Sequence, residues 1–188
     1  MEDIFELEAK TEINQSDSYL KSYPHMLSYS QNKDSFTEAD FVVLSHMVYG
    51  WMPTIITLDK TGQSVSVKTG AALLTKAKID GALTVQELEQ LKSLVNNSIV
   101  GVSKLLHFIN PEKFPIWDSR IYQYCYRKKA HSNANNVKRY VKYIESLNEL
   151  VEKYPEDKTF ENINNKLGYK VSKLRALELV MFLNSPKF

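Results

Sequence analysis

A chain of 188 residues, 43% hydrophobic and 24% charged, can bury a real core and holds one domain, or one domain with a small subdomain. Lys and Arg total 24 against 22 Asp and Glu; a net charge of +2 neither demands nucleic acid nor excludes it, because basic residues can gather on one face. The single cysteine, Cys125, excludes an internal disulfide, no secretory h-region follows "MEDIFELEAK", and "LELVMFL" is too short to cross a bilayer. A soluble, cytoplasmic protein with no membrane contact is expected.

Residues 1–35, rich in tyrosine and serine, keep no sustained period and read as an irregular N-terminal arm over the core, with at most one short helix. From Thr37, "TEADFVVLSHMVYGW" pairs an N-cap with Asp40 three residues on, and Phe41, Leu44, Met47, Val48 and Trp51 recur at helical spacing until Pro53. "TIITLDKTGQSVSVKTG" is the one strand-like passage: a short β-hairpin near 54–68 around Lys60-Thr61-Gly62, or a plain loop. Thr84 and Glu87 form a second capping box ahead of Val85, Leu88, Leu91 and Val95. Helices follow over 99–109 and 119–129. "NANNVKRYVKYIESLNELVEKY" carries the stripe Val137, Tyr140, Val141, Ile144, Leu147, Val151 and Tyr154, stopped by Pro155. A last helix spans roughly 171–184. The fold expected is mainly α: a single helical domain over 36–188 behind the arm.

The stretch that carries chemistry is "NNSIVGVSKLLHFINPEKFPIWDSRIYQYCYRKK", residues 96–129. Asn96, Asn97 and Ser98 end one helix and Gly101 lies just inside the next, a tight turn whose orphan N–H groups at the positive end of a helix dipole suit a phosphate. Lys104 follows within the first turns. "NPEKFP" breaks the helix, so Asp118 is expected at the head of the following one, facing back toward the turn. Asp118 is equally a good N-cap. No metal-ligand spacing, P-loop or dinucleotide fingerprint occurs. His107 reads as a hydrogen-bonded packing residue and Cys125 as inert.

The order Val100-Gly101, Lys104, Phe114-Pro115, Asp118 and Arg120-Ile121 resembles the helix-hairpin-helix DNA glycosylase superfamily, most closely its 8-oxoguanine-type glycosylase/lyase members, over about 35 residues. In those enzymes a glycine-ended hairpin grips the DNA backbone, the next helix bears a catalytic lysine, and a proline-containing loop delivers an aspartate. The resemblance implies DNA as partner, no cofactor and no metal, and base excision or abasic-site cleavage as activity. Lys104 would be the nucleophile and Asp118 the assisting carboxylate. Asn97, Ser98, Val100, Gly101, Ser103 and Arg120, with Lys128, Lys138 and Arg139, would face the nucleic acid. Trp51, Phe108, Trp117 and Tyr122 would hold the extruded base.

The hairpin has one glycine where the family has two, and the lysine-to-aspartate span is shorter. Aligning on His107-Phe108 puts Ser103, not Lys104, at the catalytic place. Neighbours on a helix point about 100° apart, so only one of the two can face the pocket. The alternative is a non-catalytic helical module that binds nucleic acid or a protein. The basic clusters at 126–129, 137–142 and 169–175, interleaved with tyrosines, suit a phosphate-facing surface or three solvated helix faces.

Overall fold

Caps written into the sequence set where most helices begin. In a computed structural model that describes residues 3–58, 64–153 and 160–188, Thr37 accepts from the Asp40 N–H while the Asp40 carboxylate takes the Thr37 N–H, opening α3 (Glu38–Trp51). The Thr84–Glu87 pair opens α5 (Val85–Leu94) in the same way. Ser98 caps α6 (Ile99–Ile109), Asp118 caps α7 (Ser119–Tyr126), Asn136 caps α8 (Val137–Glu152) and Ser172 caps α10 (Lys173–Leu183). Each short polar side chain satisfies an N–H that the first helical turn leaves without a partner. The described residues are mainly helical and contain no strand.

Two expectations change. The arm is not irregular: α1 (Ile4–Lys10) and α2 (Ser18–Gln31) are helices, and α2 buries Leu20, Tyr23 and Met26. Pro24 inside α2 breaks the apolar pattern and removes one ladder donor. Packing against α6 sustains that helix, which its own propensity does not. The hairpin is also absent from the described residues. Ser66 caps α4 (Val67–Asp80) through the Thr69 N–H, so Val67 begins a helix; the Lys60-Thr61-Gly62 turn lies outside the described residues.

Smaller differences concern ends and faces. The helix at 119 stops at Tyr126 because Arg127 turns left-handed, φ 51°. On α8 the fully buried side chains are Val137, Tyr140, Tyr143 and Leu147; Tyr154 and Pro155 lie outside the described residues.

α6 is the axis of the molecule. Helices α2, α3, α4 and α5 all pack against it, and every residue of α6 except Val100 is buried. α7 and α8 pack against α10, while α9 (Glu161–Leu167) contacts α1. Polar side chains placed on α6 are therefore held in the interior, where each must find a partner.

Candidate functional site

The α5–α6 turn is built on asparagines. Asn96 and Asn97 adopt φ 56° and 51°, a conformation that Asn tolerates better than most residues. The Asn96 amide accepts from the Thr57 N–H at 3.0 Å and donates to the Ile55 carbonyl at 2.8 Å. Asn135 clamps the other side, donating to the Asn97 carbonyl and accepting from the Ile99 N–H, both at 2.9 Å. The Gly101 N–H is taken by the Ser98 hydroxyl at 3.1 Å. Gly101 serves helix packing: a Cβ there would lie 2.9 Å from Cε2 of Tyr49 on α3 and closer still to its hydroxyl.

The loop from Asn110 to Asp118 is tied down along its length. His107 Nδ1 bonds the Phe114 carbonyl at 2.8 Å, Tyr140 donates to the Pro115 carbonyl at 3.1 Å, and Ser172 donates to the Pro111 carbonyl at 2.8 Å. Ser103 faces this loop, accepting from the Trp117 N–H at 3.1 Å and reaching the Trp117 carbonyl at 3.0 Å. Lys104, the next residue, faces a cleft instead. Its Nζ lies 3.6 Å from Asp118 Oδ2. Asp118 Oδ1 meanwhile accepts from the Arg120 and Ile121 N–H groups at 2.9 and 3.0 Å. One carboxylate oxygen caps α7 and the other meets the lysine.

The cleft, of about 240 Å³, is walled by Tyr19, Trp51, Met52, Ile116 and Phe182, with Lys104, Asp118, Arg175 and Glu178 as its charged residues. Trp51 is fixed by its Nε1–H, which donates to the Tyr19 carbonyl at 3.0 Å. A second, more polar cleft of about 360 Å³ shares Met52, Lys104 and Asp118 and continues past Thr54, Ser98, Val100, Ser119, His131 and Asn135. The Lys104–Asp118 pair thus stands where an aromatic chamber opens into a polar trench.

Arg175 and Glu178 bond one another one helical turn apart and are 3% and 1% exposed. Burial pushes the Glu178 carboxyl up, Arg175 pulls it back, and the charge of Asp118 adds to the rise, leaving it at about 7. Behind them, burial and the Arg175 charge press His107 down to about 3. Because a carbonyl only accepts, Nδ1 of His107 carries the proton and Nε2 accepts from the Tyr23 hydroxyl at 2.8 Å.

Of the side chains expected to hold a base, Trp51 lines the cleft. Phe108 stands edge-on behind it at 5.4 Å. Trp117 is buried elsewhere, donating to the Ala134 carbonyl at 2.7 Å, and Tyr122 stacks on Tyr126. Of the residues expected to face nucleic acid, Ser98 and Val100 line the trench, and Arg120 covers the Phe182 ring at 4.5 Å on the chamber's edge. The main chains of Asn97 and Gly101 are engaged within the protein, and Ser103 is buried. Lys128 and Lys138 are exposed. Arg139 lies over the Tyr122 and Tyr126 rings and donates to the Tyr122 hydroxyl at 3.2 Å. The asparagine clamp brings Asn135, two residues before α8, against the α5–α6 turn.

The sequence reading missed Tyr19, Met52, Ile116, Arg175, Glu178 and Phe182. The Arg175–Glu178 pair had a signal: opposite charges at i and i+3 inside the apolar run "LRALELVMFL". Among the described residues, no three His, Cys, Asp or Glu side chains gather as a metal site, and no helix is long and apolar enough to cross a membrane. Comparison with family models, curated proteins and solved structures found no match to the chain.

Proposed function

We propose that this chain is a helix-hairpin-helix DNA-glycosylase-like protein that receives one unstacked nucleotide of damaged or modified DNA. The observation carrying this reading is the 3.6 Å approach of Lys104 to Asp118 at the junction of an aromatic chamber and a polar trench. A base extruded from the stack enters the chamber, which brings its C1′ to the junction, while the flanking phosphodiester follows the trench. Lys104 attacks as the neutral amine. The amine nitrogen then bonds C1′ as the glycosidic bond breaks, and its electron pair leaves with the base. Asp118 carries the proton shed by the bonded nitrogen to the departing base. The C1′–O4′ bond then breaks, O4′ takes a proton from water, and the opened sugar is a Schiff base that permits strand cleavage. The carboxylate also stabilises positive charge developing on the sugar.

A non-catalytic module that binds nucleic acid or a protein is the second reading. It is favoured by the hairpin itself, where the Ile99 and Gly101 N–H groups are already bonded within the protein. Incubation with duplexes carrying 8-oxoguanine, uracil or an abasic site, followed by borohydride, separates the two. A covalent adduct abolished by Lys104→Gln is expected. Base release without an adduct, lost in Asp118→Asn, would assign a water-using glycosylase. Salt-dependent binding with neither product would leave the module, and no binding would remove the nucleic-acid reading.

A further inference from the structure

We propose that Arg175 and Glu178 form a nucleobase-edge reader, Arg175 donating to a ring acceptor while Glu178 accepts from the N–H beside it. The inference rests on the reading of the chamber as a base pocket, and it assigns to that pocket the two residues that select its ligand.

Both side chains are almost wholly buried, yet both line the chamber. Their mutual bond joins Arg175 Nη1 to Glu178 Oε2. Guanidinium carries five N–H donors and carboxylate two acceptor oxygens, so most of that capacity is unspent. Among the described residues, only Ser45 Oγ and Tyr143 OH are side-chain polar atoms sealed from both solvent and a partner. No Arg175 or Glu178 atom is among them, and both residues line the chamber, Arg175 with its guanidinium over the Tyr23 ring at 4.9 Å. Packing alone does not call for such a pair, since apolar side chains of similar volume often replace a buried ion pair without loss.

Charge and size narrow the ligand. Two cations, Lys104 and Arg175, face two anions, Asp118 and Glu178. With Glu178 ionised, as it is above pH about 7, that set is balanced and suits a neutral ring rather than a phosphate. At about 240 Å³ the chamber falls below the roughly 300 Å³ where pockets for drug-sized ligands begin, so it takes a single ring system. Tyr19, Trp51 and Phe182 offer that ring its faces. An acceptor adjacent to an N–H on one edge of a planar heterocycle is the pattern complementary to a guanidinium beside a carboxylate.

The test compares inosine, whose edge carries a carbonyl beside an N–H, with 1-methylinosine, in which that N–H is blocked, by ligand-observed NMR titration of the full chain. Inosine is expected to bind at least tenfold more tightly. In Arg175→Met/Glu178→Leu, which removes both charges together and leaves neither unpaired, the two nucleosides are expected to bind alike. Equal binding by the wild type, no binding of either nucleoside, or discrimination that survives in the double variant would overturn the inference. A Lys104-dependent borohydride adduct on abasic DNA needs no base edge. Such an adduct alongside equal nucleoside binding would overturn the edge reader and leave the proposed lyase standing.

Discussion

Ser103 ties Trp117 to α6: its hydroxyl accepts from the Trp117 N–H at 3.1 Å and shares its one proton between the Trp117 and Val100 carbonyls at 3.0 and 2.9 Å. This clamp fastens the loop to α6 immediately before Asp118, and so holds the carboxylate beside Lys104. Ser103→Ala leaves buried backbone groups unpaired, which costs about 1–3 kcal/mol. The denaturation midpoint is expected to fall accordingly. Any Lys104-dependent adduct should form more slowly, although Ser103 lines neither cleft.

Asp118 joins a cap to a charge, and two substitutions divide them. Asparagine caps a helix about as well as aspartate, whereas alanine costs about 1 kcal/mol. Asp118→Asn is expected to keep the cap while leaving the Lys104 charge without its partner, to unfold less readily than the alanine variant by about the 1 kcal/mol of the cap, and to lose base excision. Asp118→Ala should lose both. Equilibrium denaturation beside an excision assay distinguishes them; equal destabilisation by the two variants would deny the capping role.

Gly101 allows α6 to approach α3. Tyr49 cannot swing aside cheaply, because its hydroxyl donates to the Val95 carbonyl at 2.8 Å. Gly101→Ala therefore overpacks the contact and is expected to cost about 1–3 kcal/mol. Pushing α6 back would also displace Lys104. The paired variant Gly101→Ala/Tyr49→Phe, which frees the ring from its hydrogen bond, should recover part of the stability.

Glu178 and His107 give opposite slopes to stability against pH. Glu178 is raised from 4.5 to about 7, so on acidification between those values the folded protein takes up a proton that the unfolded chain does not, and stability rises. His107 is lowered from 6.5 to about 3, so across that span the unfolded chain takes the proton and stability falls. Between pH 6.5 and 4.5 the two effects oppose. Glu178→Gln removes one of them and should make the melting temperature fall more steeply over that range than in the wild type. An unchanged slope would show that Glu178 keeps an ordinary carboxylate pKa.

What could be read without coordinates follows the range of the interaction concerned. The boxes at Thr37 and Thr84 and the cap at Asp118 are decided within three residues, and each lies where the sequence places it. The stripe of α8 shows in its 3.6-residue period, though burial shifted toward Tyr143, whose ring packs on Trp117 at 5.0 Å. α2 escaped because Pro24 and its many polar residues hide a helix that only contact with α6 sustains.

The chain by itself determined the helical class, most helix starts, and a lysine and an aspartate close enough in sequence to meet, since hydrogen bonding to the nearest backbone and the spacing of apolar side chains need no distant partner. Tertiary structure alone decided that Lys104 rather than Ser103 faces the cleft, and that Tyr19, Arg175, Glu178 and Phe182 share it. The direction a side chain takes off a helix is set by what packs on the other side, and those partners arrive from opposite ends of the sequence.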